Sequence, residues 1–183
     1  APEQNVITEV RFRLPKARAV QTSYAGVGDE LAAMGVEGEP THRQLAEAIS
    51  RLRSRKLPNP AVLGNAGSFF KNPIVDAAVA DSLKAAHPAL PVFPGDSPAT
   101  RKLSAGWLID ATGWKGFRDG DAGVASQHAL VLVNHGHASG ADLLRLAGRI
   151  AGSVQARFGV ALEPEPRILG GRFQPIAPDQ ALA

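Results

Sequence analysis

A serine with basic and amide side chains around it lies in a glycine- and proline-rich stretch at residues 56–73. Ser68 follows the small-residue turn Gly-Asn-Ala-Gly, and two phenylalanines come directly after it. Lys56, Lys71 and Asn72 belong to the same stretch and could contact a polar or anionic ligand. A hydroxyl held between a tight turn and two aromatic anchors suits a reaction that needs a fixed proton donor.

The backbone of this stretch favours an ordered loop. Gly64 and Gly67 can adopt positive φ and let a ligand approach the main chain closely. Pro58, Pro60 and Pro73 stiffen the two flanks and prevent a long helix. Because clusters of glycine and proline usually mark turns, an ordinary loop that connects two domains is an alternative interpretation.

Length and composition restrict the class of protein. The chain has 183 residues, 44% of them apolar and 20% charged, which is typical of one large globular domain or one domain with part of another. The net charge of +3 gives no sign of a nucleic-acid interface, although a local anion site is compatible with it. The chain has no cysteine and no apolar run near the ~20 residues of a membrane span, and no signal peptide is visible in residues 1–8, which are polar. We therefore expect a cytoplasmic protein without a membrane partner.

Hydrophobic periodicity predicts helices alternating with short strands, so the expected fold class is α+β, with α/β and a small sheet as the alternative. Four helices are predicted. The first begins at a Thr41–Gln44 capping box and ends near Lys56, and the others occupy residues 74–86, 101–110 and 139–158. The predicted strands occupy residues 6–14 and 129–134, the second of them central in a sheet. The remaining segments are irregular at 88–99, rich in glycine turns at 113–123, extended at 160–169 and loosely held after Gly171.

Several common chemistries do not fit the motifs. The Gly64–Ser68 segment lacks the Gly-Lys-Ser/Thr end of a phosphate-binding P-loop, and no Gly-x-Gly-x-x-Gly fingerprint is present. Ser68 is not in the Gly-x-Ser-x-Gly turn of hydrolases. His135 and His137 have no cysteine or suitably spaced carboxylate beside them, so we predict no metal site.

The residues that remain are compatible with proton donation to an anionic ligand. Ser68 can give the proton, and a glutamate at 163 or 165 lies in the extended segment. Four lysines in different loops could surround a dianion such as a nucleotide diphosphate, although their spacing alone does not bring them together: Lys56, Lys71, Lys102 and Lys115.

Long motifs in the chain closely resemble the UDP-N-acetylenolpyruvoylglucosamine reductase family, the flavoenzymes of peptidoglycan precursor synthesis. The resemblance is carried by Lys-Leu-Pro-Asn-Pro at 56–60 and by Gly-Asn-Ala-Gly-Ser-Phe-Phe-Lys-Asn-Pro at 64–73. Three further blocks follow in order at 102–110, 129–134 and 162–170, and Tyr24 lies in a matching glycine-rich turn. Pro166 stands where the family usually has valine.

The resemblance implies roles for individual residues. In the family, NADPH reduces bound FAD, and the flavin then gives hydride to the enolpyruvyl double bond of UDP-N-acetylglucosamine enolpyruvate. By similarity Ser68 is the proton donor, Glu165 stabilises the enolic intermediate, and Gly67 borders the cofactor. The residues implied to hold the UDP-sugar are Tyr24, Lys56, Asn72 and Lys115.

The resemblance also implies a division of the chain. Residues 1–56 would be the end of the FAD-binding region, 57–160 the substrate-binding domain, and 161–183 a returning strand and tail. The family's flavin-binding half lies upstream of the segment that resembles residues 1–14, so we expect the chain alone to be inactive and to need that half as a partner, in the same or another chain. The alternatives are a UDP-sugar-binding module without redox activity and a structural or interaction domain. Flavin absorbance and calorimetry with UDP-N-acetylglucosamine separate the three.

Overall fold

The structure, a computed structural model, describes residues 8–15 and 17–178. The helices of this part of the chain are α1 (Val27–Ala33), α2 (His42–Lys56), α3 (Ala77–Ala86), α4 (Ala105–Ala111) and α5 (Gly140–Phe158). The strands are β1 (Gly64–Ser68), β2 (Ile74–Asp76), β3 (Val92–Pro94), β4 (Thr100–Leu103), β5 (Arg118–Asp119), β6 (Ala122–Val124) and β7 (Val131–Asn134). All described strand pairs are antiparallel, which confirms the α+β class.

The chain divides into two compact units, Ala1–Leu52 and Arg53–Ala183. In the first unit, α1 and the first turns of α2 bury a small apolar cluster around Val27 and Leu52. The predicted capping box is confirmed, because the Thr41 N–H donates to Gln44 Oε1 at 2.8 Å and the Gln44 N–H donates to Thr41 Oγ1 at 3.3 Å. The predicted helix end at Lys56 is also confirmed.

The strand predicted at residues 6–14 is wrong for its described part. Residues 8–15 form no regular structure, and Phe12 and Leu14 are 79% and 81% exposed. Alternation favours a strand only where a partner strand supplies hydrogen bonds, and none of the described strands pairs with this segment. Val6 and Ile7 lie outside the described residues.

The second unit contains two small sheets, with strand orders β1-β7-β6-β5 and β2-β4-β3. Strand β7 pairs on both sides, and Val131 and Val133 are at most 1% exposed, so the prediction of a central strand at 129–134 is confirmed with a start two residues later. An apolar run suits a strand whose two faces are both covered.

Helix α5 packs on β6, β7 and α4 and supplies much of the core. The Ser139 side chain accepts from the Asp142 N–H and the Asp142 carboxylate accepts from the Ser139 N–H, which closes a capping box. Gly159 ends the helix with φ 68°. Both predicted ends are confirmed.

Four predictions between residues 74 and 123 are wrong in part. The helix predicted at 74–86 begins only at Ala77, because Ile74–Asp76 pairs with β4. The helix predicted at 101–110 begins at Ala105, where the Ser104 side chain accepts from the Trp107 N–H at 3.2 Å. The irregular and glycine-rich segments contain β3, β5 and β6. Strands of two to four residues give too few positions for a period of two to be visible.

The segment after α5 is extended, as predicted, and lies against residues 69–71. The Lys71 N–H donates to the Glu163 carbonyl at 2.9 Å, and the Glu165 N–H donates to the Phe69 carbonyl at 2.7 Å. Pro164, which has no N–H, falls between these two bonds.

The prediction of a loosely held tail is wrong for residues 171–178. The Ile176 N–H donates to the Gly148 carbonyl of α5 at 2.9 Å, and Phe173 packs edge-on against Phe70. A Cβ on Gly152 would lie 1.7 Å from the Ile176 carbonyl oxygen, so the absence of a side chain makes room for the tail. Periodicity could not predict this, because the tail is held by a backbone hydrogen bond and by a single ring contact rather than by a repeating apolar face.

Candidate functional site

A bulge in β1 positions Ser68. Asn65 is opposite Val133 and Ser68 is opposite Val131, so three steps along β1 match two along β7. The Asn65 side chain stabilises the extra residue: its Oδ1 accepts from the Gly67 N–H at 3.1 Å, and its Nδ2 donates to the carbonyls of Pro58 and Leu63. Bulges re-aim side chains in this way and are common next to active sites.

Gly67 has φ 79°, the left-handed conformation that glycine favours, which confirms the expectation for this residue. Gly64 could also adopt positive φ but does not do so here. Gly64 instead lies opposite Asn134 in the sheet, where an added Cβ would be 3.5 Å from the Asn134 Cβ. The turn is therefore made by one glycine and the asparagine side chain.

Ser68 and Gly67 line a cavity of about 690 Å³, which we call the serine cavity. No group in the described part of the chain hydrogen-bonds the Ser68 hydroxyl, so it is free to contact a ligand. The surroundings are mainly apolar, which lowers the local dielectric constant and strengthens polar contacts. The serine cavity is lined by residues 64–69, 132, 134, 140, 141, 143, 144 and 166–171.

Asn72 and Lys115 line a different cavity of about 380 Å³, which we call the lysine cavity. Asn72 Oδ1 accepts from the Ala105 N–H at 2.9 Å, which fixes the amide so that its NH₂ group is left for a ligand. Lys115 Nζ lies 3.1 Å from Asp110 Oδ2. The lysine cavity is lined by Asn72, Phe93, Ser104, Gly106, Trp107, Asp110, Lys115 and residues 127–130.

His128 also lines the lysine cavity, and sequence reasoning missed it. Burial, followed by the positive charges of Lys56 and Lys115, holds the pKa of this imidazole below its ordinary value. His128 precedes an apolar strand and belongs to no motif. The only signal in the sequence is its place in the turn that enters β7.

The remaining predicted residues lie elsewhere. Glu165 is exposed and does not line the serine cavity, although its N–H is bound to the residue after Ser68. Lys56 is an exposed residue at the end of α2. Tyr24 belongs to the first unit and is 54% exposed. Within the second unit the serine cavity thus contains Gly67 and Ser68, the lysine cavity contains Asn72 and Lys115, and Lys56 and Glu165 line neither.

Two negative observations concern residues 8–15 and 17–178. This part of the chain has no group of three or more His, Asp or Glu side chains placed to hold a metal ion. Its helices are each too short or too polar to cross a membrane.

Comparison with known proteins defines the class of domain. A family model described as "UDP-N-acetylenolpyruvoylglucosamine reductase, C-terminal domain" matches residues 59–169. These residues include β1 with its bulge, all of α5 and the whole lysine cavity. They also include the serine cavity apart from residues 170 and 171.

Two curated relatives agree with this class. UDP-N-acetylenolpyruvoylglucosamine reductase of Xylella fastidiosa (strain 9a5c) is 55% identical over 172 residues, which are 94% of this chain and 49% of the relative. The reductase of Xanthomonas euvesicatoria pv. vesicatoria (strain 85-10) is 51% identical over the same shares of the two chains. The crystal structure of the reductase from Thermus caldophilus has 30% identity and a TM-score of 0.40, and the match covers 70% of this chain and 36% of that one.

The chain belongs to the UDP-N-acetylenolpyruvoylglucosamine reductase family. It spans about half the length of the curated relatives that it matches.

Proposed function

We propose that the chain is the substrate-binding part of a cytoplasmic oxidoreductase of peptidoglycan precursor synthesis. The complete reaction is the reduction of UDP-N-acetylglucosamine enolpyruvate to UDP-N-acetylmuramate, with FAD as cofactor and NADPH as co-substrate. The observation that carries this proposal is the free Ser68 hydroxyl, held by a bulge at the edge of an apolar cavity in a chain of this family.

The serine cavity fits one face of a flat cofactor. A Cβ built on Gly67 would meet nothing within 4 Å, so its backbone is open, and Leu143, Leu144 and Ile168 offer apolar surface. When bound there, FAD would supply the hydride that it receives from NADPH. The described residues offer no glycine-rich phosphate loop, so most of the cofactor would be held by another part of the protein.

Ser68 is proposed to complete the reduction by donating the proton on Oγ. Addition of hydride to one carbon of the enolpyruvyl double bond leaves negative charge at the neighbouring carbon, which then needs a proton from a fixed donor. A serine hydroxyl is a weak acid, so we propose that its proton is replaced through ordered water or with assistance from Lys56, which lies outside the serine cavity.

Glu165 is proposed to stabilise the enolic intermediate. Its backbone N–H is fixed to the Phe69 carbonyl at 2.7 Å, so its position along the chain is tied to that of Ser68. Polar partners whose position is fixed before the reaction stabilise developing charge at the lowest cost.

The lysine cavity is proposed to bind the nucleotide part of the substrate. The Asn72 NH₂ group and the Lys115 ammonium can contact a diphosphate, and Phe93 and Trp107 offer aromatic surface to a base. Lys56 would contribute positive charge, and Tyr24 would contact the sugar or a phosphate. This arrangement separates binding of the nucleotide from the chemistry at Ser68.

Replacement of Ser68 tests the proposed reaction. In the complete reductase, Ser68→Ala is expected to leave reduction of FAD by NADPH unchanged and to slow reoxidation of the flavin by substrate at least about 100-fold, since general acid catalysis contributes 10²–10⁴-fold. Stopped-flow absorbance measures the two half-reactions separately. Ser82→Ala, at an exposed serine of α3, is the control. Reoxidation at the wild-type rate in Ser68→Ala would refute the role of this serine.

A further inference from the structure

His128 has one ring nitrogen fixed by the backbone and one that remains for a ligand. The Leu130 N–H donates to His128 Nδ1 at 3.3 Å, so in the neutral ring the proton is on Nε2. In the described part of the chain no group accepts a hydrogen bond from Nε2. Because the residue is half-buried and lines the lysine cavity, this N–H is a donor without a partner beside Asn72 and Lys115.

The charges around His128 oppose its protonation in the absence of a ligand. The pKa of His128 is lowered by burial, then by the ammonium groups of Lys56 at the end of α2 and Lys115 in the turn after α4. Asp110, the carboxylate that lines the same cavity, is paired with Lys115 at 3.1 Å and partly offsets its charge. Bonding of Nδ1 to the Leu130 N–H also favours the neutral ring, since a protonated Nδ1 cannot accept.

A diphosphate in the lysine cavity would oppose the part of this effect that comes from the two lysines. Two negative charges near Lys56 and Lys115 cancel the repulsion that these lysines exert on the imidazole, and they attract a proton to it. We propose that His128 takes up a proton on Nδ1 when a diphosphate-bearing ligand binds in the lysine cavity. The hydrogen bond from the Leu130 N–H is then lost, and the ring holds the phosphate through its Nε2–H as a cationic donor. This inference rests on the proposed function, which places the nucleotide in that cavity.

The affinity for the ligand depends on pH because binding is linked to protonation of His128. In the free protein the pKa of His128 is below 6.5, and in the complex it is expected to be above that of the free protein. Between the two values binding takes up a proton, so affinity falls as pH rises. The dissociation constant is expected to increase by up to about tenfold per pH unit in this window, because one proton is bound for each ligand.

UDP-N-acetylglucosamine is a suitable probe for this linkage. Both of its phosphates are esterified and keep their charges around neutral pH, so a measured proton uptake belongs to the protein. Calorimetric titration in two buffers of different ionisation enthalpy, from about pH 6 to about pH 8, gives the number of protons taken up. The chemical shift of the His128 Cε1–H, followed with and without the ligand, gives the pKa of this side chain directly.

Variants at two histidines provide the comparison. His128→Gln keeps a neutral donor but cannot take up a proton, so it is expected to bind the ligand with little pH dependence and an affinity that matches wild type best at the high end of the range. The control is His137→Gln, at an exposed histidine outside the lysine cavity, which is expected to keep the wild-type pH dependence.

The outcomes separate this inference from the proposed function. A rise in the pKa of His128 on binding, with proton uptake that disappears in His128→Gln, supports the proposal. Binding without a change in that pKa, or with equal proton uptake in His128→Gln, overturns the role of His128 and leaves the proposed function intact. Failure of wild-type protein to bind the probe at any pH refutes the proposed nucleotide site, and the inference with it.

Discussion

Asn72 combines a structural contact and a proposed ligand contact in one amide. Its Oδ1 accepts from the Ala105 N–H at the start of α4, while its NH₂ group is left for the lysine cavity. The two functions use different atoms, so a substitution that changes only one of them can distinguish them.

Asn72→Asp retains the acceptor but replaces the NH₂ group with a carboxylate oxygen. The variant is expected to keep a thermal midpoint near that of wild type and to bind UDP-N-acetylglucosamine at least about tenfold more weakly, a loss of about 1.4 kcal/mol, because the new charge repels the diphosphate. Isothermal titration calorimetry and thermal unfolding measure the two effects. Asn59→Asp is the matched control, since the Asn59 Oδ1 likewise accepts one backbone N–H. Equal affinity in the two variants would contradict the contact.

Individual residues of the site could be predicted only where a motif contains them. Gly67 and Ser68 stand out because glycine, small residues and aromatics surround a single hydroxyl. Asn65 and His128 do not stand out, although one stabilises the bulge and the other lines the lysine cavity. Their importance comes from partners that β1 and β7 bring close in space, and spacing along the chain does not show such contacts.

At the scale of the helix, the N-terminal cap of α5 gives a pH dependence that can be measured. Hydrogen bonds from the Ser139 hydroxyl at 2.6 Å and the Ser139 N–H at 2.9 Å, in that order, lower the pKa of Asp142 from its ordinary value of 3.8. Because the folded-state pKa is the lower one, this stabilisation is present above about pH 3.8 and is lost as pH falls through the folded-state value.

Asp142→Asn is therefore expected to lower the free energy of unfolding at neutral pH and to flatten its decline in acid. Urea midpoints measured between about pH 2.5 and about pH 6 report both effects. Asp81→Asn, at an exposed aspartate of α3, is the control for loss of one negative charge. An acid decline as steep in Asp142→Asn as in wild type would exclude the cap as its source.

Replacing Gly152 in the middle of α5 with alanine is expected to disturb the structure, whereas the same change in an ordinary helix stabilises it. Glycine to alanine usually stabilises a helix by up to about 1 kcal/mol, but a Cβ at Gly152 would lie 1.7 Å from the Ile176 carbonyl oxygen. We expect Gly152→Ala to displace residues 171–178 and to accelerate amide hydrogen exchange at Ile176. Gly140→Ala, where an added Cβ meets nothing within 4 Å, should leave that exchange slow. Slow exchange at Ile176 in Gly152→Ala would contradict the contact.

Long elements could be predicted from the sequence and short ones could not. Helix α5 has an N-cap, an apolar stripe and a terminal glycine, and each signal supports the others. Strands β2 and β4 have three and four residues, so helical spacing in the following sequence dominated the prediction. Residues 8–14 show the opposite error, since a clear alternation forms no strand among the described residues.

For the whole chain, the proposed function predicts that the chain binds the nucleotide sugar but does not catalyse its reduction. The lysine cavity is formed entirely by residues 72–130, whereas the chain contains no glycine-rich dinucleotide motif. The purified 183-residue chain is expected to bind UDP-N-acetylglucosamine, to carry no visible flavin absorbance and to oxidise no NADPH.

Spectrophotometry and calorimetry on the same preparation test this prediction. Flavin that purifies with the chain in equal amounts would show that it holds the cofactor unaided. Absence of nucleotide-sugar binding would favour the third interpretation, a structural or interaction domain.

The hydrogen bond between the Glu165 N–H and the Phe69 carbonyl couples the segment after α5 to the segment that carries Ser68. It joins the residue next to the proposed proton donor to a segment almost a hundred positions later, and residues 166–171 continue from there along the serine cavity. A shift of either segment is therefore transmitted to the other through the main chain. The geometry at the hydroxyl thus depends on a strand pairing as well as on the loop that carries it.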